Sequence, residues 1–318
     1  MGLGADDLIV ITGGAGFIAK YVVRELNRLH HTNIVLFDRY DLLKMENFNN
    51  LHGLKFSSLE SSDVLEEFLE IEKSRIRCVI HLGANSSTTG KDSKEYLIHN
   101  YELSKLLADF CIDEEIRFIY ASSASIYGDG RLGFSDDRVY FEKYKPLNLY
   151  AWSKYLFDQY ILDNHLEGQV LGLRLFNVYG ADRSKEEMRC IVTRAHDTII
   201  IKKKMEIFDI QADRDFVYAG DVACFIVESI TKESHGIVNF GTAQTTSFKQ
   251  MCEYVYAAMG HDPNFSSIAL PEHLIGKYQH VTLSDPTHLN AMIMKFKYNF
   301  RFTPVKEAVE ITVRELNG

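Results

Sequence analysis

Tyr150 and Lys154 stand four residues apart in YAWSK, a spacing that brings both side chains onto one face of a helix. An ammonium group beside a phenol favours the phenolate, which makes tyrosine a usable base although its free pKa is about 10. Ser123, just after the apolar run RFIYAS, offers a hydroxyl to hold the oxygen from which the tyrosine takes a proton. The same lysine can hydrogen-bond a nicotinamide ribose. Together the three suit removal of a hydroxyl proton while hydride passes from carbon to a nicotinamide. Y-x-x-x-K is common by chance, so this reading depends on its surroundings.

A dinucleotide loop stands near the start. TGGAGFIAK, residues 12–20, follows the apolar run LIVIT and opens a helix-like span. Gly13 and Gly16 match the first two positions of G-x-x-G-x-x-G, and Ala19 takes the third. Glycines there permit a tight turn and close approach of a pyrophosphate to helix-terminal N–H groups. Asp38 closes the next apolar run and is followed by Arg39. A carboxylate there suits the ribose hydroxyls of NAD; a guanidinium, helped by Lys44, suits the 2′-phosphate of NADP. Arg39 as a solvated loop residue is an equally open reading.

These residues need a scaffold that gathers strand ends. The runs LIVIT (8–12), NIVLF (33–37), RCVIHL (77–82), RFIYAS (117–122) and VLGLRLF (170–176) are continuously apolar. They alternate with helix-like spans at 17–29, 63–71, 96–111 and 149–166. Such strands without polar alternation predict an α/β fold, a doubly wound, mostly parallel sheet of Rossmann type. The rhythm loosens beyond Phe176. Residues 1–175 are expected to form the core of a dinucleotide-binding domain, rejoined by parts of 212–240 and 281–290, with 176–318 mainly a smaller substrate-binding domain.

Composition sets the outer limits. The 318 residues are 46% hydrophobic and 25% charged, which rules out extensive disorder. A formal charge of -9 argues against nucleic acid or an anionic membrane as partner. The 5 cysteines, odd in number and widely spaced, read as core thiols of a reduced compartment. No run reaches membrane-spanning length and MGLGADD lacks a signal-peptide pattern, so a cytoplasmic location is expected. The 12 histidines include no H-E-x-x-H or clustered set, and no metal site is read.

With these motifs in place, the chain resembles the extended short-chain dehydrogenase/reductase superfamily over essentially its whole length. TGGAGFIA, SSAS and YAWSK carry the likeness. The resemblance implies Tyr150 as base, Lys154 and Ser123 as its partners, and Asn100 of LIHNY as their support. Ala124 and Ser125 stand where a sugar dehydratase usually has an Asp-Glu pair, which looks like an epimerase. HLGANSSTT (81–89), KPLNLYAWSKYLFDQY (145–160), RLFNVYG (174–180), RDFVYAGDV (214–222), NFGT (239–242) and GKYQ (276–279) narrow it to the ADP-glyceromanno-heptose 6-epimerases.

That family is NADP-dependent, cytoplasmic and homo-oligomeric, and serves lipopolysaccharide core biosynthesis. The likeness implies oxidation at C6″ of a nucleotide-diphosphate heptose and return of the same hydride to the opposite face. It places Phe17, Ile18, Leu82 and Ala84 at the cofactor, and Ser86, Asn177, Arg214, Lys277 and Tyr278 at the substrate. Lys185 corresponds to a lysine serving the opposite face, although RSKEEM is one residue shorter than usual and has Glu186 where a glycine generally follows. A 4-epimerase of another nucleotide sugar is the alternative enzyme, and a non-catalytic dinucleotide-binding member the alternative of another class.

Overall fold

The structure, a computed structural model, describes residues 2–184, 189–210, 212–270 and 279–318. Six strands lead the chain: β1 (Leu8–Thr12), β2 (Ile34–Asp38), β3 (Ser58–Ser61), β4 (Ile76–His81), β5 (Arg117–Ser123) and β6 (Val170–Leu175). The helices among them are α1 (Phe17–Arg28), α2 (Met45–Leu51), α3 (Leu65–Glu72), α4 (Ser93–Tyr96), α5 (Leu103–Asp113), α6 (Arg138–Phe141) and α7 (Leu149–Asp163). A seventh strand, Gly236–Phe240, completes a sheet ordered Gly236–Phe240, β6, β5, β4, β1, β2, β3. Every pairing in it is parallel.

The apolar runs become strands because both faces are covered. All five residues of β1 and all six of β6 are buried. On one side α1 packs against the helix Ala219–Ser229. The helices also follow from local chemistry. Asn148 caps α7 by accepting from the amide of Ala151, and alternating apolar positions of α1 bury Val22, Val23 and Leu26. β3 was not expected: SLES is half-buried throughout, an edge strand without an apolar signal.

The site follows from the strand order. From β1 the chain runs outward through β2 and β3, then returns to the other side of β1 with β4. The segments leaving β1 and β4 therefore diverge, opening a crevice at the carboxyl ends of the strands. Register aligns those ends: Thr12 lies beside His81, His81 beside Tyr120, and Ser123 beside Leu175.

Beyond β6 the chain alternates between crevice and sheet. Asn177–Tyr179 pairs in parallel with Phe216–Tyr218, and Met205–Phe208 with Phe265–Ile268. The helices Ile191–Lys202, Phe248–Ala258 and Val305–Asn317 pack on one another. Residues 219–240 return to the sheet, as the helix against α1 and as the seventh strand. Among the described residues no helix is long and apolar enough to cross a membrane.

Candidate functional site

A cleft of about 1490 Å³ occupies the crevice. A drug-sized ligand fills roughly 300–1,000 Å³, so this space suits two molecules together. Gly13, Gly16, Phe17 and Ile18 line one part, where β1 gives way to α1. Gly13 has φ +66, and a Cβ on it would meet the Cα and N of Gly83 at 2.7 Å. The β1 and β4 loops touch there with only hydrogen between them. Gly16 caps α1 without a side-chain hydrogen bond, and the first turn holds no acidic residue. The amides of that turn therefore face the cleft as an anion site. Ala19 is buried at 1% exposure, where its methyl packs in the core.

Asp38 closes this end. Its carboxylate accepts from the amides of Ala15 at 2.9 Å and Arg39 at 2.8 Å, pinning the glycine turn to the end of β2. Burial raises its pKa and those two amides oppose the rise. Arg39 is not a solvated loop residue. Its guanidinium pairs with Asp41 at 2.9 Å and with Glu95 of α4, so a 2′-phosphate would compete with two carboxylates. Lys44 lines the cleft nearby. These residues fit a dinucleotide: a cradle that a Cβ would fill, an open helix N-terminus and a carboxylate at the ribose position.

The loop after β4 brings Leu82, Ala84 and Ser86 to the cleft wall. Behind it Asn100 is fully buried in a π-helical segment, Leu97–Glu102, between α4 and α5. Asn100 accepts from the amide of Asn85 at 2.7 Å and donates to the Asn85 carbonyl at 3.0 Å and to Ser153 Oγ at 2.9 Å. It joins the β4 loop to the helix that carries Tyr150. His81 is fixed between Thr12 Oγ1 at 2.6 Å and Ser104 Oγ at 2.8 Å. Burial, with Lys154 nearby, lowers its pKa to about 3, so it is a neutral brace.

Ser123, Tyr150, Lys154 and Asn177 line the other end. Burial raises the Tyr150 phenol, and a hydrogen bond with Ser123 opposes the rise. Lys154 is 3% exposed and donates to the carbonyl of Ala121 at 2.8 Å. Burial lowers it to about 8, against the pull of Asp158. The expected lowering of Tyr150 by Lys154 is thus replaced, in this geometry, by lowering through Ser123. Ser123 Oγ also accepts from the amide of Ser125 at 3.1 Å, which fixes its direction. Asn177 Oδ1 accepts from Thr282 Oγ1 at 3.2 Å.

Arg214 sits elsewhere. It is 6% exposed, lies over the Phe248 ring, and donates to the carbonyls of Asp213 at 3.0 Å and Gln279 at 2.6 Å. Its guanidinium braces the chain at 279–280 rather than lining the cleft. Lys185, Lys277 and Tyr278 lie outside the described residues. The described residues contain no group of three or more His, Cys, Asp or Glu able to hold a metal ion.

A second cavity of about 530 Å³ was not foreseen. Arg189, Ile191 and Phe248 line both cavities, so the two adjoin. Met205, Ile207 and Phe208 give this one an apolar wall, and Arg194 and Lys204 add positive charge. The signal in the sequence was weak, because the alternating MEIF and a helix edge look like ordinary packing.

Residues 9–241 match the NAD dependent epimerase/dehydratase family. The chain is 35% identical over 297 residues to an ADP-L-glycero-D-manno-heptose-6-epimerase of Brachyspira hyodysenteriae, spanning 89% of this chain and 91% of that relative. The solved Helicobacter pylori ADP-L-glycero-D-manno-heptose-6-epimerase superposes with a TM-score of 0.81 at 23% identity, covering 98% of this chain and 97% of that one. The Thermotoga maritima UDP-glucose 4-epimerase, solved with UDP-glucose, gives 0.76 at 23% identity, covering 97% and 98%. At these identities the two structures speak for the fold.

Proposed function

The chain belongs to the NAD dependent epimerase/dehydratase family, and from that premise we propose that it converts ADP-D-glycero-D-manno-heptose to its L-glycero epimer by transient oxidation at C6″. The observation that carries this reading is the convergence of Ser123, Tyr150 and Lys154 on the cleft formed by the glycine turn. Identity of 35% to a relative of that name, over nearly the whole chain, favours the heptose over the hexoses of the 4-epimerases.

A bound dinucleotide would supply a nicotinamide that takes up and returns hydride. Gly13, Gly16 and the first turn of α1 would hold its pyrophosphate, and Asp38 a ribose. Ser123 orients the sugar hydroxyl, and Tyr150 takes its proton as phenolate. Lys154 supplies the nearby positive charge. Asn177 positions the nucleotide sugar, and the cavity beyond Arg189 receives its base. Lys185 is assigned as the proton-handling group on the opposite face. We assign NADP as the dinucleotide, on the two cations Arg39 and Lys44 at the adenosine end. NAD is the second reading, favoured by Asp38. The enzyme is proposed to act as a cytoplasmic homo-oligomer in lipopolysaccharide core biosynthesis; exposed Leu97 and Trp152 offer apolar surface for association.

One preparation tests this. Nucleotide released by denaturation should have the mass of NADP. The native protein should convert ADP-D-glycero-D-manno-heptose to the L-glycero epimer without net formation of reduced nucleotide. Released NAD would overturn the NADP assignment alone. Inert heptose with conversion of a uridine-linked hexose at C4 would overturn the substrate.

A further inference from the structure

Arg39 binds a carboxylate on the far side of β1. It follows β2, whereas its partner Glu95 belongs to α4, beyond β4, and β2 and β4 flank β1 in the sheet. The pair therefore joins the chain segments on either side of the glycine turn. α4 is a single turn capped by Asp92, whose carboxylate accepts from the Lys94 amide at 3.0 Å. Buried Tyr96 anchors it, its hydroxyl donating to the Ser87 carbonyl of the β4 loop at 2.6 Å. Glu95 is thus presented from a held element. His99 Nε2 stands 3.5 Å from its second oxygen and lines the cleft with Arg39.

This pairing occupies donors that a phosphate would need. A guanidinium presents its N–H groups as a planar fork that holds an oxyanion best through two of them at once. Asp41 accepts from Nε at 3.4 Å and from Nη2 at 2.9 Å, and Glu95 accepts from Nη1. The two acids differ in hold. Asp41 lies two residues along the same loop with its side chain 65% exposed, where water and salt screen it. Glu95 is 27% exposed and comes from a separate element. We propose that Glu95 is a specificity-determining residue for the dinucleotide, restraining the preference for NADP by holding Arg39 and by repelling a 2′-phosphate. A 2′-hydroxyl carries no charge and meets neither obstacle.

The inference rests on this end of the cleft holding the adenosine ribose, and not on which dinucleotide the protein prefers. Equilibrium dialysis of the full chain against equal concentrations of NAD and NADP gives the ratio of the two bound. The wild-type ratio tests the NADP assignment; its change on substitution tests Glu95. Glu95→Gln keeps the shape and removes the charge, and should raise bound NADP over NAD by about fivefold, the upper end for a part-exposed ion pair. Unfolded chains bind neither nucleotide, so a partial loss of fold leaves the ratio intact. Arg39→Met should lower the ratio, and Glu95→Gln added to it should change that lower value by about twofold or less. A wild-type ratio in Glu95→Gln, or an equal rise when Arg39 is already replaced, would overturn the proposal. Binding of neither nucleotide by the wild type would overturn the dinucleotide reading and this inference with it.

Discussion

As the proposed base, Tyr150 would have to ionise, yet its burial works against that. Its phenol is raised by desolvation and pulled back by Ser123, while Lys154 is lowered to about 8 and donates to a backbone carbonyl. The sign is fixed by which form acts: Lys154 helps as ammonium, so its support is full below about 8 and lost as pH rises through that value. Epimerisation should accordingly fall on the alkaline side near pH 8, measured as kcat/KM across pH. His81 adds no limb near neutrality, since it stays neutral above about 3. Tyr150→Phe should lower turnover by roughly 10²-fold or more, the scale of a positioned proton-transfer group, with dinucleotide affinity unchanged by calorimetry. Full turnover in that variant would place the base elsewhere. At this scale the sequence was legible where spacing carries chemistry: Tyr150 and Lys154 at i and i+4. Asp158 at i+8 was equally visible in spacing but silent, because its ion-pair partner, Arg174, lies on a strand. Arg214, which opens RDFVYAGDV, shows the same limit: the carbonyls of Asp213 and Gln279 that it braces are known only from the fold.

Among elements, the turn between β1 and α1 has least freedom. Gly13 has φ +66, a backbone region costing other residues roughly 1–2 kcal/mol. Any Cβ there would also collide with Gly83 backbone at 2.7 Å. Gly13→Ala should therefore weaken dinucleotide binding at least about tenfold, equivalent to ~1.4 kcal/mol, in a direct titration of the purified variant. Unchanged affinity would mean that the turn does not hold the pyrophosphate. The strands bounding this turn were readable because parallel strands covered on both faces must be apolar throughout. β3 was not, since an edge strand needs no such pattern and SLES shows none. The π-helical stretch holding Asn100 also lacks a local signature: its register shift is seen only when the Asn85 and Ser153 contacts are known.

Across the whole molecule, parallel strand order puts the β1 and β4 loops side by side, and the chain beyond β6 closes the cleft with a second cavity. That second cavity marks the limit of sequence reasoning. Its wall combines Arg189 with residues near 205–208, 248 and 268, which come together only through long-range packing. The cleft gathers Ser123, Tyr150 and Lys154, the groups proposed to oxidise a sugar hydroxyl. The central claim is that the hydride removed from C6″ is the one returned there. Substrate carrying deuterium at C6″ tests it directly, with nuclear magnetic resonance reading the product after incubation in ordinary water. L-glycero product with the deuterium fully retained at C6″ is the expected result. Product with the label exchanged for solvent hydrogen would mean proton abstraction from carbon, and would contradict transient oxidation by this site.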